Sequence, residues 1–367
     1  MTTKVIPTTL GSQAEHYEKL GLIKGQIAPW EDGMRTDGSA GTYEWWYFDS
    51  HLNDGSKLVI VFYTKPMMEI DSPLTPYVSF TWDLPDGRTI QRTYAATSEK
   101  NFFASTEQCE VRIGANVFKG NLHDYQIHIE MDELVADISL SGKVPPWRPE
   151  TGYWLYGEQD EHYFAWLPSV PQGKVEAMIQ MGEDYRQYTG MGYHDHNWGN
   201  IAMPALMNNW YWGRAQVGDY TVIVCNITAE EQYGYKAHPV FMLAKGNKIL
   251  ADDGNLIRLT KRDEYLDDLT GKPVANTLVY EYEEEDKHYT VTFQREKDIS
   301  KYRFIDTFRG AKKEAAIAAG FDGAYLRFTG EVRLEVLEGK EIVESLQNEA
   351  IWDLMHLGKA RQKQSTK

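Results

Sequence analysis

Short runs of β-branched and aromatic residues, separated by turn signals at intervals of roughly ten residues, make up most of this chain. The clearest runs are Leu58–Tyr63, Tyr125–Glu130, Tyr220–Asn226 and Tyr289–Phe293. The triplets Asn53-Asp54-Gly55, Pro85-Asp86-Gly87 and Asp252-Asp253-Gly254 are typical of hairpin turns, because glycine there supplies a positive φ angle. The clearest helical signals are Gln13–Leu20 and Lys312–Ala319. The pattern therefore predicts an all-β, antiparallel fold with a few short helices.

The strand pattern contains an internal repeat. Trp46-Tyr47-Phe48 and the later Val59-Ile60-Val61 recur as Trp210-Tyr211-Trp212 and Val222-Ile223-Val224, with one residue fewer between the two triplets. A chain of 367 residues is also too long for one ordinary hydrophobic core. The repeat and the length together predict two similar domains, each an antiparallel barrel or sandwich.

The repeat spacing places the domain boundary near residue 200. We expect an N-terminal extension over residues 1–26, a first barrel over 27–200, a second barrel over 201–358 and a frayed basic tail over 359–367. The segment 191–200, with the loop up to Asn208, is expected to connect the two domains.

Composition limits the possible partners and the location. The net charge is −16, which disfavours binding to nucleic acid and to anionic lipid surfaces. No apolar run approaches the roughly 18–20 residues that span a bilayer, and the first residues lack the apolar core of a secretory signal. Cys109 and Cys225 form no paired motif and are expected to be core thiols. We therefore expect a cytoplasmic protein without stable membrane insertion, whose oligomeric state is open.

Two histidines, an aspartate and an asparagine lie together in the segment Tyr193–Trp198. If this segment is extended, His194, His196 and Trp198 share one face and Asp195 and Asn197 the other. Three interpretations are open. The histidines could begin a metal site, the polar residues could form a buried hydrogen-bonded plug, or an acid could donate protons because an apolar cavity raises its pKa. Because no second cluster occurs at metal-ligand spacing, we predict no metal.

The segment Glu44-Trp45-Trp46-Tyr47 raises the same choice. Alternation places Glu44 and Trp46 on one face and Trp45 and Tyr47 on the other. A glutamate flanked by three aromatic residues is expected to be partly buried, and therefore hydrogen-bonded or protonated. Its partner could be Arg214 or one of the histidines near residue 195.

Aromatic residues make up 13% of the chain, which suits either a β-barrel core or a pocket for an apolar ligand. Dinucleotide-binding, P-loop, serine-hydrolase elbow and HExxH motifs are absent from the sequence. This absence disfavours mechanisms based on a nucleotide, a flavin or a nucleophilic serine.

Three motifs, EWWYFDS (44–50), YHDHNWGN (193–200) and NWYWGRA (209–215), resemble in this order the carotenoid 1,2-hydratase family. This family is also called hydroxyneurosporene synthase or AttH-like, and it includes kievitone hydratase and fungal lipocalin-like Diels-Alderases. The resemblance extends from about residue 27 to the segments 325–328 and 351–354. It implies two tandem lipocalin-like antiparallel β-barrels and no redox cofactor. The glutamate of the family's EWWY motif would fall on Glu44, and its HDHNWG residues on 194–199.

The leading hypothesis is a cofactor-independent cyclase or hydratase for an apolar, olefin-bearing isoprenoid or polyketide intermediate bound between the two barrels. Asp195 or Glu44 would donate a proton, and His194 and His196 would tune that acid. The expected substrate-binding residues are Trp45, Trp46, Tyr47, Asn197, Trp198, Trp210 and Trp212. Two alternatives are open: a pericyclase that folds its substrate without proton transfer, and a non-catalytic carrier of a hydrophobic molecule.

Overall fold

The computed structural model describes residues 4–67, 69–285 and 287–360. The chain divides into two compact units. One unit runs from Thr9 to Ala202, and the other contains the residues up to Thr8 and those from Met203 onward. No helix among the described residues is long and apolar enough to cross a membrane. The predicted basic tail lies, from residue 361 onward, outside the described residues.

The first unit contains a 13-stranded antiparallel sheet. Its strands are β1 (Thr8–Leu10), β2 (Tyr43–Leu52), β3 (Lys57–Tyr63), β4 (Tyr77–Asp83), β5 (Thr89–Ala95), β6 (Phe102–Ala104), β7 (Glu110–Ile113), β8 (Asn116–Gly120), β9 (Asp124–Met131), β10 (Leu134–Gly142), β11 (Tyr153–Tyr156), β12 (His162–Met181) and β13 (Asp184–Gly199). Its helical segments are α1 (Ala14–Leu20) and the 3₁₀ turns Pro29–Asp32 and Glu99–Asn101. The hydrogen-bonded order is β5-β4-β3-β2-β13-β12-β10-β9-β8-β7-β6, and β11 pairs with β1 and β12.

The second unit contains a 9-stranded antiparallel sheet in the order β17-β16-β15-β14-β22-β21-β20-β19-β18. Its strands are β14 (Met207–Val217), β15 (Tyr220–Ala229), β16 (Ala237–Lys245), β17 (Lys248–Ala251), β18 (Ile257–Leu266), β19 (Pro273–Glu284), β20 (Lys287–Arg303), β21 (Ala324–Glu338) and β22 (Glu341–His356). Its helical segments are α2 (Met203–Leu206), α3 (Phe304–Thr307), α4 (Gly310–Ala318) and the 3₁₀ turns Glu231–Tyr233 and Gly254–Leu256. The predicted all-β class with a few short helices is confirmed.

The strand order of the first sheet repeats in the second. Strand β2 pairs with β3 and with the last strand β13, just as β14 pairs with β15 and with the last strand β22. The two aromatic triplets of the repeat therefore lie in equivalent strands. Their faces differ, because Trp46 and Phe48 pack into the first core, whereas Tyr211 packs into the second and Trp210 and Trp212 do not. The predicted repeat thus holds for the strands, but its residue-by-residue alignment is wrong, because aligned side chains lie on opposite faces.

Local predictions of turns and helices had mixed outcomes. Gly55 and Gly87 both have φ of +87°, as hairpin turns after Asp require. The hairpin predicted at Asp252-Asp253-Gly254 is wrong, because Asp253 instead caps the 3₁₀ turn Gly254–Leu256 and its Oδ1 accepts a hydrogen bond from the Asn255 amide at 2.8 Å. The two predicted helices are confirmed as α1 and α4.

The segment 191–199 was expected to connect the two domains. It is instead the C-terminal half of the central strand β13. It pairs with β2 on one side and β12 on the other. Only residues 200–202 separate it from α2. A strand with partners on both sides and a row of polar side chains must satisfy those side chains within the fold, and this requirement defines the candidate site.

Candidate active site

Alternation along β13 separates its polar residues onto two faces, as predicted. His194 and His196 are fully buried on the inner face, the face that packs on the apolar core of the first unit. Asp195 and Asn197 lie on the outer face and are each 6% exposed. The adjacent strand β2 shows the same division, since Glu44 and Trp46 point inward. The motif therefore contains two chemically separate sites.

On the inner face, His194 forms an ion pair with Asp32, which lies in the first 3₁₀ turn. The Nδ1 of His194 donates to the carbonyl oxygen of Tyr47 at 2.8 Å, and its Nε2 lies 3.1 Å from Oδ2 of Asp32. Both ring nitrogens thus face acceptors, which favours the doubly protonated imidazolium. Tyr125 donates its hydroxyl hydrogen to the same Asp32 oxygen at 2.5 Å.

The pKa values of this pair move in opposite directions. Burial disfavours the charged form of Asp32, but attraction to His194 and their hydrogen bond outweigh it and lower the pKa of Asp32. Burial likewise opposes the charge on His194, but Asp32 raises the pKa of His194 above its ordinary value. The pair is therefore an imidazolium and a carboxylate held inside the first sheet.

Glu44 accepts four hydrogen bonds on the same inner face. The donors to Oε1 are the Arg35 amide at 2.6 Å and Nε2 of His196 at 2.7 Å. The donors to Oε2 are the Thr36 amide at 2.9 Å and the Thr36 hydroxyl at 2.7 Å. The ring of His196 stacks on Trp46 with centroids 4.6 Å apart. Of the two partners proposed for Glu44, the histidine is the one observed.

These contacts connect the inner face of β2 and β13 to the segment 32–36. We call the set Asp32, Glu44, His194 and His196 the polar plug. All four are no more than 1% exposed. Glu44 fixes the backbone of residues 35 and 36 by accepting hydrogen bonds from their amides, and each of its two oxygens accepts two hydrogen bonds. Its geometry is that of a buried structural network.

The outer face of β13 presents Asp195 among aromatic donors. Its Oδ2 accepts from the indole Nε1 of Trp166 and from the hydroxyl of Tyr193, both at 2.7 Å, and its Oδ1 accepts from Nδ2 of Asn197 at 2.7 Å. Burial raises the pKa of Asp195 to about 6, against the opposing effect of the hydrogen bonds from Tyr193 and Trp166. A carboxyl with this pKa can both donate and accept a proton near neutral pH.

Aromatic rings surround this acid. Tyr47 lies directly opposite Asp195 in the β2–β13 pairing, and Trp45 lies opposite Asn197. The ring of Tyr47 meets that of Tyr193 edge-on with centroids 6.2 Å apart. Both Trp45 and Tyr47 are partly exposed. The outer face therefore combines a desolvated acid with accessible aromatic surface, as a site for an apolar ligand requires.

The other predicted site residues are distributed as follows. Trp198 lies on the inner face, and its ring centroid is 4.5 Å from that of His196. Its Nε1 hydrogen is donated to the Tyr153 hydroxyl at 3.1 Å. Trp46 is fully buried and donates to the Asp32 carbonyl at 2.9 Å. Trp210 and Trp212 lie on the second sheet, in β14, and are partly exposed on its outer face.

One group among the described residues brings three possible metal ligands within 4.8 Å of one another: Asp32, Cys109 and His194. Zinc requires the thiolate form of cysteine, and burial, followed by the charge of Asp32, raises the pKa of the Cys109 thiol well above its ordinary value. The Nε2 of His194 also carries the proton shared with Asp32. This chemistry does not favour a bound metal, and the expectation of none stays a prediction.

Several residues of both sites escaped the sequence analysis. Asp32 lies 162 positions from His194, and Trp166 lies 29 positions from Asp195. Nothing in a single sequence connects positions that distant. Tyr193 could have been found, because it lies two residues from Asp195 on the same strand face.

The two antiparallel sheets, in each of which the first long strand pairs with the last strand, define a lipocalin-like protein of two units. The chain belongs to the Diels-Alderase-like family, whose sequence profile matches residues 36–347. The predicted family resemblance and the lipocalin-like fold are thereby confirmed.

Two of the relatives that match in sequence do so over 200 residues or more. The chain is 26% identical over 205 residues to the hydroxyneurosporene dehydrogenase of Chlorobaculum tepidum, a match that covers 47% of this chain and 53% of that protein. It is 22% identical over 300 residues to the quinolone epoxide rearrangement protein asqO of Emericella nidulans, covering 78% and 80% of the two chains. The chain thus spans about half the length of the first relative. The family and these relatives support an enzyme.

Several solved structures share the fold, among them three different proteins. The TM-score is 0.61 with CghA at 12% identity, covering 98% of this chain and 100% of that one. It is 0.57 with an AttH-like protein from Nitrosomonas europaea at 13% identity, covering 91% and 98%. It is 0.52 with kievitone hydratase from Nectria haematococca at 11% identity, covering 97% and 98%.

Proposed function

We propose that this protein is a cofactor-independent cyclase or hydratase for an apolar, olefin-bearing natural-product intermediate, with Asp195 as the proton donor. The observation that carries this proposal is a buried carboxyl with a pKa of about 6 on an aromatic-lined strand face. The names of the relatives, an epoxide rearrangement protein and a hydratase, are consistent with acid chemistry on such substrates.

In the proposed step, the protonated Asp195 transfers its proton to an alkene carbon or an epoxide oxygen of the substrate. With an alkene, the electron pair of the double bond forms the new C–H bond; with an epoxide, an oxygen lone pair forms the new O–H bond and the pair of the breaking C–O bond stays on oxygen. The resulting cation is stabilised by the faces of Trp45 and Tyr47. Capture by water or by a second bond of the substrate then releases a proton, which returns to the Asp195 carboxylate.

Asp195 suits this role better than Glu44, the other acid that the sequence offered. Both oxygens of Glu44 already accept two hydrogen bonds each, and its side chain is fully buried. Asp195 has one oxygen with a single donor and lies beside partly exposed rings. A proton on that oxygen can therefore be directed to a ligand.

The test is turnover of olefinic and epoxide substrates by Asp195→Asn in parallel with the wild type. Loss of the proton donor should lower kcat by about 10²-fold or more with a smaller change in KM. The matched control is Asp184→Asn, an exposed aspartate on the same strand, which should keep wild-type kcat. Reaction in D₂O should also place deuterium on the product carbon if an alkene is protonated.

A pericyclase is the second candidate, favoured by the family to which the chain belongs. In that case Asn197, whose Nδ2 carries a second hydrogen besides the one donated to Asp195, donates it to a substrate carbonyl, and no proton is transferred. Turnover would then incorporate no solvent deuterium, and kcat would not change with pH between about 5 and 8. A carrier would bind the same ligands and turn none of them over.

A further inference from the structure

The outer face of the second sheet carries a regular grid of partly exposed side chains on three neighbouring strands. The register places Trp212 of β14 opposite Asp353 of β22, and Asp353 opposite Arg327 of β21. The next row toward one end joins Trp210, Met355 and Tyr325. Asp353 is therefore the central residue of this grid, and its strand neighbours Trp352 and Leu354 point the other way, into the core.

Polar groups face Asp353 from both neighbouring strands. The Tyr325 hydroxyl donates to its Oδ2 at 3.3 Å. Arg327 faces it from β21, and Arg214 lies on the same face of β14, opposite Ile351. Burial raises the pKa of Asp353 to about 7, against the opposing effects of Arg327 and Tyr325. This acid is thus half protonated near neutral pH.

Asp353 and Asp195 lie on corresponding strands and corresponding faces of the two sheets. Each lies on the last strand of its sheet, β22 or β13, on the face away from the core. Each is paired across the sheet with an aromatic residue of the unit's first long strand, Trp212 in β14 and Tyr47 in β2. Each sheet therefore has an acid beside an aromatic ring on the outer face of its last strand.

We propose that Asp353 is a second ligand-binding acid, which in its protonated form donates a hydrogen bond to a carbonyl, epoxide or hydroxyl oxygen of an apolar substrate packed on Trp212. The substrate class rests on the proposed function. The binding site itself does not, because it requires only the acid, the ring and a ligand oxygen. The hydrogen bond involves no transfer of the proton.

The experiment measures binding of N-methyl-2-quinolone, a planar aromatic lactam with a carbonyl acceptor and no N–H donor, by calorimetry at about pH 6 and about pH 8.5. Above pH 7 the wild type loses the donor, so its Kd should rise about tenfold. Asp353→Asn keeps an N–H donor at both pH values, so its Kd should stay nearly constant. Asp353→Leu keeps the strand but removes the donor, so its Kd should be at least about tenfold weaker than that of the wild type at pH 6.

A further variant makes the result specific. Glu349→Gln changes an exposed acid on the same face of β22 and should leave the pH dependence unchanged. Failure of Asp195→Asn to lower turnover would remove the proposed function and leave this site intact.

The proposal is overturned if Asp353→Leu binds N-methyl-2-quinolone as tightly as the wild type at pH 6. It is equally overturned if Asp353→Asn keeps the wild-type pH dependence, or if the wild type does not bind the lactam at all. Thermal unfolding of each variant checks that the sheet remains folded. A folded Asp353→Leu with weakened binding and a folded Asp353→Asn with pH-independent binding are the results expected together.

Discussion

Adjacent residues of β13 differ in chemistry because their side chains enter different surroundings. His194 pairs directly with the Asp32 carboxylate and is held charged. Asp195 is held partly neutral because burial raises its pKa, and the hydrogen bonds from its neutral donors and the charge of His194 on the opposite face offset that rise only in part. Both side chains are buried, so burial alone does not decide the charge state. A directly paired opposite charge, which His194 has and Asp195 lacks, makes the difference.

Asp195→Asn should change how stability depends on pH. The pKa of Asp195 is about 6 in the folded state, against an ordinary 3.8. The folded state therefore binds more protons between these values, and the contribution of Asp195 to the free energy of unfolding falls as pH rises from about 4 to about 6. Since Asn does not titrate, the variant should gain up to about 3 kcal/mol relative to the wild type between about pH 4 and pH 7.

Urea unfolding of both proteins across this range checks the prediction, with Asp184→Asn as the control. A stability difference that does not vary with pH would mean that Asp195 has an ordinary pKa in the folded state. The role proposed for it in proton donation would then lose its physical basis.

The Asp32–His194 pair should stabilise the fold in a defined pH window. Asp32 has a lowered pKa, so its contribution is present above the unfolded value and is lost as pH falls through the folded pKa. His194 has a raised pKa, so its contribution is present below about 6.5 and is lost as pH rises through the folded pKa. Removing either partner should cost about 3–5 kcal/mol between about pH 4 and pH 6.5.

The control is the pair His128 and Asp137, which are 2.7 Å apart on the surface and 36% and 50% exposed. The matched variants are Asp32→Asn, His194→Gln, Asp137→Asn and His128→Gln. The exposed pair should contribute no more than about 1 kcal/mol. Equal losses for the two pairs, measured by urea unfolding, would contradict the assignment of a buried ion pair.

At the scale of elements, the polar plug explains how β2 and β13 hold a segment that is neither helix nor strand. Residues 33–42 contain no regular element, yet Glu44 receives the amides of Arg35 and Thr36. A carboxylate that accepts backbone N–H groups replaces the hydrogen bonds that a strand would supply. The segment is therefore fixed by a side chain of the neighbouring strand.

Glu44→Gln should destabilise the protein without abolishing catalysis. The amide turns one acceptor into a donor, so it leaves N–H or O–H donors of residues 35, 36 or 196 unsatisfied, at about 1–3 kcal/mol each. Hydrogen exchange of the Arg35 and Thr36 amides should accelerate, while kcat of the folded variant should stay within about threefold of the wild type. The exposed Glu130→Gln on β9 is the control.

A folded Glu44→Gln variant whose kcat falls by about 10²-fold would instead identify Glu44 as the proton donor. Glu44 would then be the catalytic acid, and Asp195 would be left with a binding role.

Alternation along a strand predicted the local part of the site. The period of two placed His194 and His196 on one face and Asp195 on the other, and it placed Glu44 beside Trp46. It could not say which face was inside, nor that Asp32 of a short 3₁₀ turn would complete the plug. The segment 191–199 was expected to be a connector because its many polar residues are not typical of a central strand. They are tolerated there because their hydrogen-bond partners come from positions far away in sequence.

At the scale of the molecule, the repeat predicted two sheets of the same strand order but not the register. A one-residue shift moves a side chain to the opposite face, so Tyr211 is internal where the aligned Tyr47 is external. Local sequence similarity is insensitive to that shift. The placement of Asp195 and Asp353 on corresponding strands and faces emerges only when strands are compared by their pairing.

Each sheet encloses an apolar cluster formed by residues of its own unit, which predicts two units of local stability. Phe48 is fully buried in the first cluster and Phe293 in the second. Phe48→Ala and Phe293→Ala should each cost about 3–5 kcal/mol through lost burial and a cavity. Because the lost contacts lie within one cluster, protection against hydrogen exchange should fall mainly in the strands of the altered unit. Exchange measured by mass spectrometry on peptides from β2–β13 and from β14–β22 separates the two responses. Equal loss of protection in both sets for both variants would show that the chain unfolds as one cooperative unit, and the proposed division near residue 200 would then have no energetic meaning.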